Sequence, residues 1–191
     1  MKRILGGIGR IAFAPLTQNG TYETPVEIEF SKKIEMELKY ETEELWGGSR
    51  VIYRNNSFGG GEGELTVHAL TKDEQSLLFG QQKVKGGLVI KDTDVAPIGA
   101  FIFEWAYRGS NDKRLYVVYN CQCKPCPIAA ETVEEGKTPE ALSEIEFSVG
   151  SDRTGLIALS VDTFDETIDR ETIDAWFEKV QMPEALPTKS K

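Results

Sequence analysis

Three cysteines and one histidine are the side chains best suited to chemistry in this chain, and the cysteines fall together in NCQCKPCPI, Asn120 to Ile128. Cys121, Cys123 and Cys126 resemble the start of a metal site. A structural zinc site takes four thiolate or imidazole ligands at set spacings. This run supplies three, and His68 is the one imidazole in the sequence. The same run also reads as the end of a strand, RLYVVYNCQC, with Leu115, Val117, Tyr119, Cys121 and Cys123 on one face. Free cysteine packs as a small hydrophobe. Cys121 and Cys123 are therefore expected in the core, with Cys126 past the strand between two prolines and no metal bound.

His68 would have to serve as base in any Ser-His-Asp or Cys-His arrangement, yet it sits in mid-strand in LTVHAL. Carboxylates are numerous, and no spacing sets an acid apart from a base of different environment. NNSFGGGEGE, Asn55 to Glu64, has the glycine content of a phosphate cradle. Such cradles lead into a helix N-terminus, usually with a lysine; this run leads into a strand beside Glu62 and Glu64. It is expected to be a mobile inter-strand loop. Trp46, next to Gly47 and Gly48, is expected to be a packing or interface anchor. No catalytic residue, cofactor or metal site follows, so the chain is not expected to be an enzyme.

The elements that would position these residues are mostly strands. In VEIEF, Val26, Ile28 and Phe30 alternate with Glu27 and Glu29; in IEMELKYE, Ile34, Met36, Leu38 and Tyr40 alternate with Glu35, Glu37, Lys39 and Glu41. Period two with one apolar and one charged face predicts half-buried strands. Further strands are expected over 10–14, 50–53, 62–70, 87–90, 99–107, 114–123, 145–149 and 155–161, separated by turn-forming breaks such as GSNDK. Two helices are expected. The first starts at a capping box, Thr71 answered by Glu74, and stops at Gly80. The second is capped by Asp169, carries Ile173, Trp176, Phe177 and Val180 at helical spacing, and stops at Pro183. Many strands with two short helices predict a mainly β fold, an antiparallel β-sandwich or barrel with helices packed on it. Residues 1–183 are expected to form one domain, and 184–191 a disordered tail.

Composition narrows the partners. The chain has 191 residues, with 31 acidic and 22 basic side chains and a net charge of −9. Residues 131–184 hold 15 of the acids against Lys137, Arg153, Arg170 and Lys179. Such a chain repels phosphate backbones. No apolar run is long enough to cross a bilayer, so no membrane insertion is expected. Arg10 and three glycines interrupt the apolar stretch of MKRILGGIGRIAFAPL, which argues against a signal peptide. Three cysteines give no paired disulfide framework, consistent with a reducing compartment.

The order of segments carries more than any single motif: GIGRIAFAPLT, TYETPVEIEF, IEMELKYETEELWGG, GEGELTVHALTKDEQSLLFG, DVAPIGAFIFE, the long run from RLYVVYNCQC to SEIEFSV, and AWFEKV. This order and spacing, over residues 6–182, resembles the major tail proteins of bacteriophages with long, non-contractile tails. Cysteines in the strand near Leu115–Lys124 depart from that pattern. The resemblance implies a sandwich-like fold of the tail-tube type, flanked by a helix, whose copies form hexameric rings and join inner strands into a barrel around a lumen. Rings would stack into a tube with a tail terminator, a tape-measure protein and distal tail proteins as partners. DNA would pass through without specific binding. The place of such a protein is the virion tail, assembled in the bacterial host cytoplasm.

On this reading an acidic lining would keep DNA mobile, and Glu27, Glu29, Glu35, Glu37 and Glu41, on the charged faces of two adjacent strands, are expected to supply it. The glycine-rich region from Glu43 to Gly63 is expected to reach the neighbouring ring, through Trp46, Asn55, Asn56, Phe58, Gly59, Gly60 and Gly61. Deleting Ser57 to Gly61 is expected to leave the monomer folded and stop tube growth. Two other readings stand beside it. One is a monomeric β-sandwich module binding carbohydrate or a host surface; the other is the tube protein of a contractile injection machine.

Overall fold

Alternation of apolar and charged residues becomes antiparallel strands in the computed structural model, which describes residues 4–125, 128 and 142–183. The elements are β1 (Leu5–Pro15), β2 (Val26–Glu27), β3 (Ser31–Gly47), β4 (Arg50–Val67), α1 (Lys72–Phe79), β5 (Gln82–Val84), β6 (Gly87–Val89), β7 (Ile98–Tyr107), β8 (Lys113–Cys123), β9 (Ser143–Val149), β10 (Ala158–Asp162) and α2 (Arg170–Asp174). The fold is mainly antiparallel β with two short helices, as the pattern predicts. The main sheet runs β2-β1-β7-β8-β9-β4-β3, with β10 added to β8, while β5 and β6 form a separate small hairpin. Cys126 and the tail at 184–191 lie outside the described residues.

The sheet divides at Asn120, which has φ 51°. Before it, Arg114–Val118 pair with β10; after it, Cys121–Cys123 pair with β9. The Asn120 amide donates to Ser151 O at 2.7 Å, and its carbonyl accepts from Gly150 N at 3.0 Å. Gly99 pairs with Cys121 but Phe101 with Val118, so three steps of β8 span two of β7. An extra residue in a strand reverses which face its later side chains take. Leu115, Val117 and Tyr119 accordingly pack in one apolar cluster, and Cys121 and Cys123 in the other. The single shared face expected from alternation is thus broken in two by this bulge. Both cysteines are nevertheless buried in apolar surroundings.

One cluster centres on Phe101, with Phe13 at 4.9 Å and Phe147 at 4.7 Å between ring centroids. Leu78 and Phe79 of α1 join it. The N-terminus of α1 carries the full capping box between Thr71 and Glu74, and Gly80 ends the helix at φ 69°. A side chain at Gly80 would also meet Val95 O. Glu74 accepts a further bond from Glu29 N at 2.9 Å, tying the entry to β3 onto the helix.

The other cluster lies on the opposite face of β1, β7 and β8 and is covered by Trp176. α2 is shorter than the spacing predicts, and Asp169 makes no side-chain cap bond. Trp176, 1% exposed, turns onto the sheet and its indole donates to Tyr116 O at 3.4 Å. Tyr119 Oη donates to Gln181 O at 2.5 Å, holding the segment beyond it. Burying a large aromatic contributes about 3 kcal/mol, against a few tenths per residue for prolonging a helix. Packing therefore ends the helix early.

VEIEF also departs from alternation. Ile28 is buried and donates its N–H to Ile11 O at 2.8 Å, but Val26 and Phe30 are exposed. Phe30 has φ 55° and turns the chain into β3, so the strand is only two residues long.

Candidate assembly surface

β3 and β4 form one long hairpin, paired from Ser31↔Val67 to Gly47↔Arg50 around Gly48 and Ser49. β9 supports β4 only over Gly61–Val67. Beyond Gly61 the hairpin continues as two strands alone among the described residues, for roughly 30 Å at 3.3 Å per residue. The mobile loop expected at Asn55–Glu64 is therefore part of strand β4. Its glycines serve close approach. Gly59 and Gly60 form a bulge opposite Lys39, with Gly60 at φ 102°. At Gly63 a Cβ would fall 2.7 Å from Glu35 O and closer still to the Phe147 ring. Ser57–Gly61, expected to be dispensable for folding, spans this bulge and the first pairing with β9. Those residues supply the pairings Glu41–Ser57, Tyr40–Phe58 and Leu38–Gly61 of the ladder.

In the proximal half, Ile34, Met36 and Leu38 pack against the core. The same strand face then leaves the core. Tyr40 meets Phe58 edge-on at 5.8 Å, Thr42 Oγ1 donates to Asn56 Oδ1 at 2.8 Å, and Arg54 Nε donates to Glu44 Oε1 at 2.8 Å. Trp46 lies opposite Val51, Leu45 opposite Tyr53, and Asn55 opposite Glu43. Tyr40, Leu45, Trp46, Ile52 and Tyr53 are each 58–59% exposed. Of the residues expected to contact a neighbour, Trp46, Asn55, Asn56, Phe58, Gly59 and Gly60 sit on this arm. Gly61 is buried, paired with Val149 at the end of β9.

The two strands expected to carry the acidic lining are not paired neighbours: β2 and β3 occupy opposite ends of the sheet order. Glu27 is bridged to Arg10 at 2.8 Å, and Glu29 lies in the link before β3. Glu35, Glu37 and Glu41 belong to β3, where Glu35 stands in register with Glu64 and Glu146, and Glu37 with Glu62. Glu62, Glu64 and Glu146 were legible as charged positions in EGEL and EIEF, but their pairing was not. Carboxylates placed directly opposite repel. Lys33 to Glu35 at 2.8 Å, Lys39 to Glu62 at 2.6 Å and Lys124 to Glu146 at 2.8 Å offset this. The hydrogen bond donated by Lys39 holds the Glu62 carboxyl below its ordinary range, and the one that Lys33 donates to Glu35 pushes Lys33 up.

Beside these strands opens a cavity of about 720 Å³, lined by Ile34, Met36, Phe103, Trp105, Tyr116 and Phe147. Glu35, Glu37, Glu62, Glu64 and Glu146 also line it, with Lys124. Phe103 and Tyr116 stack at 4.8 Å and 14°. Elsewhere the chemical candidates are quiet. Burial pushes the Cys123 thiol up to about 12 and that of Cys121 higher still. His68 is exposed beyond the end of β4, its N–H donating to Phe30 O at 3.3 Å. Among the described residues no three His, Cys, Asp or Glu side chains are grouped to hold a metal, and no helix is long and apolar enough to cross a membrane.

The sequence matches no protein-family model and no curated protein.

Proposed function

We propose that this chain is a structural subunit that polymerises into a hollow tube, the tail tube of a long-tailed, non-contractile phage, built from stacked hexameric rings. One observation carries the reading: the distal half of the β3–β4 hairpin. A two-stranded hairpin is marginal in water by itself, and this one exposes five large apolar side chains to solvent. Leu45, Ile52 and Tyr53 lie on one face and Tyr40 and Trp46 on the other, and a projecting arm with apolar side chains bare on both faces is a surface suited to being covered in use. The outer edge of β3 is also without a hydrogen-bonded strand among the described residues. An open edge invites pairing with another copy, and a head-to-tail contact of this kind can close into a ring. Charged side chains along β3 guard the edge until the correct partner meets it.

In the assembled particle the tail terminator, tape-measure and distal tail proteins are the partners this role requires, and DNA passes without specific contact. Light scattering and negative-stain electron microscopy of the concentrated protein test the proposal. Rings or hollow tubes growing with concentration are expected. A strict monomer at every concentration would count against it and favour a binding module.

A further inference from the structure

The distal hairpin needs a surface to rest on, and the cavity beside β3 and β4 has the complementary character. The tip, LWGGSRVIYR from Leu45 to Arg54, carries two arginines and no acid, a net charge of +2 in a chain of −9. Arg54 is held by Glu44, whereas Arg50 has no ion-pair partner among the described residues. The cavity presents five glutamates and one lysine around an aromatic and aliphatic lining. Apolar side chains that have nothing to cover them, accompanied by positive charge, thus have a counterpart on the same molecule in an apolar hollow accompanied by negative charge.

The tip cannot fold back into its own cavity. Met36, in the lining, and Trp46, at the tip, lie ten residues apart on one continuous strand, a separation of roughly 33 Å. The occupant must come from another molecule. We propose that the hairpin tip of one copy docks in the cavity of a second copy, with Trp46 entering between Met36 and the Phe103–Tyr116 stack and Arg50 meeting the Glu35 and Glu37 side. This rests on the reading that the chain polymerises and names the surface that receives the arm. It assigns Glu35 and Glu37 to a contact between copies instead of a surface facing the genome.

Tip and cavity are different surfaces, so the contact is heterologous: each copy gives its tip to one neighbour and receives the tip of another. If the copies share one orientation, successive copies are displaced along the hairpin by about 33 Å or less, the tip-to-cavity distance. Association should weaken as salt screens the arginine–glutamate attraction, and Trp46 should lose its exposure to water.

The test uses the full chain with p-benzoylphenylalanine in place of Trp46. It is irradiated across a concentration series, with cross-linked peptides mapped by mass spectrometry and association followed by sedimentation. Expected are links between copies from position 46 into residues 34–37, 62–64 or 103–116. Arg50→Glu is expected to weaken association about tenfold, as for loss of a close charge pair, and adding Glu37→Arg to the same chain to recover part of it. Links to any other surface of a second copy would overturn the docking and leave polymerisation standing. An unsubstituted chain that sediments as a monomer throughout, with no links between copies from position 46, would overturn both. Links only to a different protein would overturn the choice of occupant. Circular dichroism of Arg50→Glu separates lost docking from lost folding, because the fold below Leu38 does not depend on the tip.

Discussion

Leu65 and Tyr53 belong to the same strand, twelve residues apart, and are 0% and 59% exposed. Both pair with a β3 residue in the same antiparallel ladder, Leu65 with Ile34 and Tyr53 with Leu45, so strand pairing does not distinguish them. What differs is the neighbour on the other side. The proximal half of β4 has β9 along its edge and the Phe101 cluster beneath it; the distal half has neither. A ladder bond exchanges for bonds to water at a net gain of about 1 kcal/mol, while burying a large apolar side chain contributes about 2–3 kcal/mol. The proximal half is thus held by packing. The distal half is an ordered projection whose apolar residues stabilise nothing until they are covered.

Substitutions can break or sharpen this contrast. Leu65→Ala should have the largest effect, costing about 3 kcal/mol through the cavity it leaves, read as a lowered urea midpoint. Gly63→Ala should cost about 1–3 kcal/mol, because the new methyl must displace the Phe147 ring or the β3 backbone. An unchanged midpoint for Gly63→Ala would mean that β9 and β4 are less closely packed than their contact indicates.

The turn after β9, where the supported half of the hairpin ends, offers a smaller change. Partial burial pushes the Asp152 carboxyl up, but the Thr154 hydroxyl and the N–H groups of Leu156, Thr154 and Gly155 outweigh this and hold it below its ordinary range. A carboxyl lowered on folding adds stability above its unfolded value near 4, and that stability is lost as pH falls through the folded value. Asp152→Asn should therefore cost about 1 kcal/mol at pH 7, and its deficit against the unsubstituted chain should shrink below pH 4. Urea titrations at pH 7 and pH 3 measure the difference. Trp46→Ala should have the least effect on the monomer, within about 0.5 kcal/mol, while still abolishing assembly. A loss of several kcal/mol from Trp46→Ala would show that the arm is packed in the monomer and sink the comparison.

The helix at 72–79 was legible to the residue, because a capping box and a terminal glycine act within a few residues of chain. Strand identity was legible in Ile34–Leu38 and Leu115–Tyr119 for the same reason: alternation is a local property. Trp46 stood out as an apolar residue outside any periodic run, and it lies on the exposed arm. Reading failed where a distant contact overruled the local pattern. Asn120 reverses the faces of β8 because β9 and β10 compete for the same strand. Asp174 ends α2 because Trp176 is drawn onto the sheet. Asn55–Glu64 looks like a loop because glycine usually weakens strands, yet here the missing side chains admit Phe147 and the β3 backbone.

By itself, then, the sequence determined that this is an acidic, mainly β chain with apolar strand faces, a capped helix and buried cysteines, since burial preference, alternation and capping are written in neighbouring residues. Only the tertiary structure decided that β2 and β3 lie at opposite ends of the sheet, that Glu35, Glu64 and Glu146 stand side by side, and that half of one hairpin is left without support. Those facts depend on which strands pair across long stretches of chain, and pairing is set by the summed packing of the whole sheet.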